Sequence, residues 1–144
     1  MLSKSSKYAI RAVLYLTIKA SKENKIGSKF VADKLEIPAP FLAKTLQELT
    51  KNNILTSVKG PNGGFYLTEE NCKKNIFDII NCIDTTSKLE QCFLGQLECD
   101  EDNPCVVHEL YAPFKKQLIH KLKNHTILEM ANEYIKNNDF INSL

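Results

Sequence analysis

The sequence predicts a mainly α-helical chain with one small β-hairpin and a long C-terminal helix. Three observations predict it. Apolar residues recur at spacings of three and four over most of the chain, the mark of amphipathic helices. A single Asn62-Gly63 pair stands between two short β-type runs. A further apolar stripe, from Val107 to Leu122, continues beyond the segment that the hairpin closes.

At 144 residues the chain is long enough for one modest domain and an appendage. With 43% hydrophobic and 25% charged residues it has an ordinary globular composition. No run of about 18 apolar residues occurs, so no membrane span is expected. The start MLSKSSKYAIRAVLYL is basic then apolar, but Arg11 interrupts the run and no small-residue cleavage site follows. It is read as a folded helix of a cytoplasmic protein.

In order, residues 3–21 carry Ile10, Val13, Leu14 and Ile18 at helical period. After the polar loop 22–27, Ser28 is expected to cap a short helix that buries Val31, Ala32 and Leu35. Pro38 and Pro40 break that helix, and Pro40 suits the first turn of the next, over residues 40–52. Phe41, Leu42, Leu46 and Leu49 are expected inside it, with Lys44, Thr45, Gln47, Glu48 and Lys51 on its other faces. Two short helices with a tight break make a helix-turn-helix. Strands over 54–58 and 65–67, joined by KGPNGG with positive φ expected at Asn62-Gly63, then add a wing.

Residues 75–84 read as a helix, and Cys72 and Cys82 beside it as core residues. Asp102 or Asn103 before Pro104 suits the start of the long helix, with a kink or restart at Pro113. Thr126 and Glu129 form a capping box for a last helix. The domain division expected is 1–84 for the winged helix-turn-helix, 85–108 for a cysteine-rich loop, and 109–144 for the long and last helices. A long apolar stripe on so small a chain calls for a second copy as its cover, and helix-turn-helix proteins pair to read two half-sites.

Charge divides unevenly. Residues 1–68 hold 11 Lys or Arg against 4 Asp or Glu, and residues 69–144 hold 8 against 13. A basic N-terminal half fits a polyanion such as double-stranded DNA, or merely a solvated lysine-rich surface. Lys59 at the wing base is placed to reach a phosphate or minor groove, and Gly63 and Gly64 either admit close backbone approach or serve only the turn. Ser28, Ala39, Phe41, Lys44, Thr45, Lys51 and Asn62 complete the expected DNA-facing set.

The other constellation is CFLGQLECDEDNPCVVH, with Cys92, Cys99, Cys105 and His108 in the pattern C-x6-C-x5-C-x2-H. Five cysteines cannot all pair, and thiolates suit iron–sulfur clusters and zinc. Cys105 and His108 are one helical turn apart near the expected helix start, which favours a thiolate there. Zinc is an alternative, although no tight Cys-x2-Cys knuckle is present. A disulfide switch, a Cys–His nucleophile and cysteines that are merely buried are the others, the last set against the acidic run Glu98, Asp100, Glu101 and Asp102; no oxyanion hole or substrate pocket is suggested, so neither an enzyme nor a small-molecule substrate is expected. His120 and His125 read as surface residues.

With these residues laid out, the chain resembles the Rrf-type winged-helix transcription regulators, with their IscR-like and NsrR-like members. The resemblance rests on SKYAIRAVLYL, on FVADKLEIPAPFLAKTLQELTKNNILTSVKGPNGGFYLT, and on the late three-cysteine loop. It implies a homodimer through the long C-terminal helix, and DNA reading by the second helix of the helix-turn-helix and the wing. It also implies an iron–sulfur cluster on Cys92, Cys99 and Cys105. His108 matches the fourth ligand of IscR-like members, and Tyr8 stands where NsrR-like members have an acid. That favours a redox-sensitive [2Fe–2S] centre controlling DNA binding, although the first cysteine gap is one residue longer than the IscR-like pattern. The rival function is a small metal- or thiol-handling protein whose winged domain binds protein, and a cluster-free regulator is a third.

Overall fold

The computed structural model describes residues 2–85 and 87–136. Met1, Thr86 and residues 137–144, the end of the 109–144 segment, lie outside the described residues. Helix α1 (Lys4–Lys19) starts where the Ser3 hydroxyl accepts from the Ser6 N–H at 3.1 Å. Its Ala9, Ala12, Val13 and Leu16 are wholly buried.

Helix α2 (Ser28–Leu35) begins after Gly27, so Ser28 is its first residue and makes no side-chain cap. The expected Ser28 cap is therefore corrected. Glu36 takes a left-handed conformation (φ 55°), which lets Ile37 N–H reach back to Ala32 O at 2.9 Å. Arg11 of α1 donates to Leu35 O at 3.1 Å, closing the same end. Helix α3 (Ala39–Lys51) follows at once, with Pro40 in its first turn where no N–H is needed. Leu42, Leu46 and Leu49 are buried as expected. Phe41 is instead 37% exposed, leaning edge-on against Tyr8 with centroids 5.8 Å apart, and Thr45 takes an inward place.

Strands β1 (Thr56–Val58) and β2 (Gly64–Tyr66) pair antiparallel, Thr56 opposite Tyr66 and Val58 opposite Gly64. Positive φ falls at Gly60 (107°) and Gly64 (148°), not at Asn62-Gly63. Gly63 is fixed by space: a Cβ there would stand 2.1 Å from Val58 O. At Gly64 it would meet the Ile26 backbone at 2.8 Å, because Ile26 bridges Phe65 as a third rung (N···O 2.8 and 3.1 Å).

Helix α4 (Glu69–Cys72) and α5 (Ile76–Ile83) each open with a reciprocal capping box, Thr68/Asn71 and Asn75/Asp78. Asn71 is nearly buried and ties three segments. Its Oδ1 accepts from Thr56 Oγ1 at 2.7 Å, and its Nδ2 donates to Asn53 O at 2.8 Å, in the turn that ends α3. The short α6 (Ser87–Glu90) leads into the cysteine loop.

Helix α7 (His108–Asn124) starts later than Asp102 or Asn103, with Val107 as its cap and no capping side chain. It runs unbroken through Pro113, so there is no restart. Thr126 and Glu129 cap α8 (Ile127–Lys136) reciprocally, at 3.1 and 2.8 Å. Leu122, Ile127 and Ala131 enter the core that α1, α2, α3 and α5 share. The chain is thus mainly helical with a two-stranded wing, as the sequence predicts.

Candidate nucleic-acid interface and cysteine loop

The buried leucines of α3 turn Lys44, Gln47 and Lys51 outward, since positions i, i+3 and i+7 share one helix face. Lys51 meets the wing base across an open cleft of about 770 Å³. Ser28, Lys51, Lys59, Gly63 and Gly64 all border that cleft, so five of the expected DNA-facing residues come together. Gln47 and Thr50 border it too. The spacing of Gln47 from Lys44 and Lys51 is the available signal; from the sequence Gln47 is placed only on the helix's other faces, and Thr50 is not singled out.

Phe41 and Lys44 are exposed near the start of α3, Ala39 is half-buried, and Asn62 stands exposed at the wing tip. Thr45 is 7% exposed, and its hydroxyl donates to Phe41 O at 3.0 Å, so it points toward the core side rather than outward. Asn71, which holds the wing to the end of α3, went unremarked; the Thr68-x-x-Asn71 spacing is a recognisable capping signal.

The thiols differ in surroundings. Cys72 and Cys82 are half-buried. Burial, then nearby Glu69 or Glu48, pushes each thiol above its ordinary value, away from the reactive thiolate. Cys92 is buried in a tight turn in which Gly95 N–H donates to Cys92 O at 2.9 Å and Cys92 N–H to Gln96 O at 3.1 Å. Gly95 is required there, with φ 89°. Hydrogen bonding from the Leu94 backbone, then from the Cys105 side chain and the Gln96 backbone, lowers the Cys92 thiol; Lys115 adds to this and burial opposes it.

Cys105 precedes α7 rather than lying on it, and its carbonyl accepts from His108 N–H at 3.0 Å. The Cys99 sulfur lies 3.4 Å from His108 Nδ1. Cys99 and His108 therefore stand as one pair, while Cys105 enters the surroundings of Cys92 only as one of the groups that lower its thiol. Tyr111 lies close to Cys99 and Cys92, and its hydroxyl is raised by burial first and then by those two thiols.

These contacts test whether a metal group fits. Sulfur and imidazole nitrogen on one tetrahedral metal stand about 3.5 Å apart, given bonds of about 2.3 and 2.0 Å. The Cys99–His108 separation matches that edge. Among the described residues, no three or more His, Cys, Asp or Glu side chains converge on one point to hold a single ion. Three thiolates and an imidazole on one short segment are donors that suit an iron–sulfur group or a zinc ion.

Comparison with known proteins decides the family. The family described as Rrf2, iron-dependent transcriptional regulator, matches residues 2–133. The chain belongs to the Rrf2 family. It is 39% identical over 132 residues to an HTH-type transcriptional regulator of Aquifex aeolicus, covering 90% of each chain. It is 24% identical over 131 residues to the HTH-type transcriptional regulator IscR of Yersinia pseudotuberculosis, covering 91% of this chain and 79% of that one. Its fold matches CymR, the global cysteine regulator of B. subtilis, with a TM-score of 0.72 at 20% identity over 92% and 97% of the two chains. For T. potens IscR the TM-score is 0.68 at 20% identity, over 96% and 90%. The chain is thus a helix-turn-helix transcriptional regulator and not an enzyme. DNA is the partner that such a regulator requires. Among the described residues no helix is long and apolar enough to cross a membrane.

Proposed function

We propose that this Rrf2-family chain is a cytoplasmic homodimer whose binding to double-stranded DNA is controlled by a redox-sensitive [2Fe–2S] cluster on Cys92, Cys99, Cys105 and His108. The observation that carries the reading is the Cys99 sulfur standing 3.4 Å from His108 Nδ1, with Cys92 and Cys105 on the same short segment. Each iron of a [2Fe–2S] cluster takes two protein ligands, so three thiolates and one imidazole would complete it. When bound, the cluster would supply one-electron redox chemistry. The chain's own residues do the rest. Cys92 and Cys99 come from the loop, and His108 fixes the other end of the site as the first residue of α7.

In this reading residues 1–84 are the DNA-binding unit, 85–108 the sensing loop, and 109–144 the dimer segment. The apolar face of α7 supports the last assignment. Phe93, Val107, Leu110, Tyr111 and Phe114 line an open hollow of about 330 Å³, and Leu110 is 82% exposed. A contiguous face of this kind suits a second copy of the chain. A change in loop order at the start of α7 would then alter the spacing of two recognition helices, which is what a dimer reads.

The test is an ultraviolet–visible spectrum with iron and sulfide assays on protein purified without oxygen. Coloured protein with matched iron and sulfide, bleached by Cys92→Ala and altered by His108→Ala, is expected. Colourless protein after reconstitution would overturn the cluster. The Cys105 contact on Cys92 also favours a second reading, a thiol switch between these two. In that case colourless protein would form a Cys92–Cys105 disulfide on oxidation, detected by peptide mass mapping. On the DNA side, Lys44→Ala and Lys59→Ala should each weaken binding in a polarisation assay and flatten its salt dependence while leaving the fold intact. Unchanged affinity of both at low salt would remove these lysines from the interface.

A further inference from the structure

Two consecutive lysines of α7 hold the cysteine loop at separate points. Lys115 Nζ donates to Glu90 O at 2.9 Å, the last carbonyl of α6 and two residues before Cys92. Lys116 Nζ meets Glu101 Oε1 at 2.9 Å, two residues after Cys99. The two sites differ. Lys116 and Glu101 are both largely exposed, whereas Lys115 is half-buried with its ammonium 5.8 Å from the Tyr111 ring centre. Lys115 also borders, with Cys99, Glu90, Leu97 and Glu98, a hollow of about 380 Å³. One cation therefore touches the loop's entry and flanks Cys99, and its charge reaches Cys92.

We propose that Lys115 is a positioning residue of the cysteine site: it ties the end of α6 to α7 so that Cys92 meets its partners, and it places a fixed positive charge beside the anionic sulfurs. The proposal rests on the cluster reading above. Its physical basis is that a site with three thiolates carries excess negative charge, and one-electron reduction by an external donor adds one more. A nearby cation favours the more negative state, and net charge is one of the terms that set the potential of such centres. A hydrogen bond from an ammonium to a helix's last carbonyl also satisfies an acceptor that α6 cannot.

The test uses the full-length protein in three forms: wild type, Lys115→Met and Lys115→Arg, each checked for unchanged helix content. The first readout is the rate of cleavage after Glu98 and Glu101 by a glutamate-specific protease in cluster-free protein. The second is the midpoint potential of the reconstituted protein. Lys115→Met is expected to speed cleavage several-fold and to lower the potential, and Lys115→Arg to restore both toward wild type. A merely structural tie would move the first and not the second. A wild-type value for either in Lys115→Met overturns the proposal. If the wild type takes up no cluster, the cluster reading fails by itself, and an unchanged cleavage rate would still overturn the positioning role.

Discussion

Leu42, Leu46 and Leu49 of α3 have no exposed surface, whereas Phe93, Leu94 and Leu97 of the cysteine loop are each more than half exposed. The recognition helix and wing borrow rigidity from the common core and from the buried Asn71. The loop is held by short-range turns, by two lysines and by the contacts of its own candidate ligands. The proposed DNA-facing surface is thus built on the core, and the proposed sensing segment stands outside it. Elements that switch are drawn from the low-stability part of a fold. The comparison can be broken at its strong end by Leu46→Ala, which should cost about 2–5 kcal/mol through lost burial and the cavity left behind. Leu97→Ala should leave the urea midpoint nearly unchanged. Equal shifts for the two would mean that the loop unfolds with the core.

The contact that joins the two regions comes next in size. Asp84 ends α5 and accepts from Ser6 Oγ at 2.7 Å and from Ser3 N–H at 3.3 Å, with Lys88 of α6 at 3.7 Å. Ser6 is completely buried, so Asp84→Ala would leave its hydroxyl without this acceptor, at about 1–3 kcal/mol. Burial pushes the Asp84 carboxyl up, but the Ser3 and Ser6 bonds and Lys88 outweigh it and hold the group below its usual range. The lowered value means that this stability is fully present above the unfolded carboxyl value of about 3.9 and is lost as pH falls through the folded one. Acid titration of the urea midpoint should therefore show a shallower loss below that pH in Asp84→Ala than in wild type. Parallel curves would deny Asp84 its part.

What could be read in advance follows the same division. The 3.6 period of α1, the Pro38-x-Pro40 break and the Thr126/Glu129 box each have one physical meaning, and the structure honours them. The wing was legible as a hairpin but not in its turn. Three glycines within five residues can divide positive φ and tight space in several ways, and the Ile26 bridge, invisible in local sequence, chose Gly64. Thr45 and Phe41 exchanged places for a related reason. Tyr8 on α1 offers an edge-on partner that draws Phe41 to the helix margin, and Thr45 can turn inward because its hydroxyl bonds Phe41 O. The cysteine loop showed which chemistry was gathered, not which side chain faced which. Pairing Cys99 with His108 across eight intervening residues depends on turns at Asp100 and Cys105 that carry no periodic signal.

The smallest expected effect sharpens the comparison most. Lys116 and Glu101 form a short ion pair, and Lys116 is the first cause of the Glu101 carboxyl lying below its ordinary value. Both side chains are exposed, so ordering two long chains in water and screening by salt offset most of the attraction. Lys116→Ala should shift the thermal midpoint by at most about 3 °C. The same substitution should nevertheless speed cleavage after Glu101, because the tie acts on the loop and not on the core. That split requires the loop to open without the rest of the chain unfolding. A midpoint lowered by several degrees, in step with faster cleavage, would make loop and core one cooperative unit and remove the distinction between the rigid reading head and the adaptable segment.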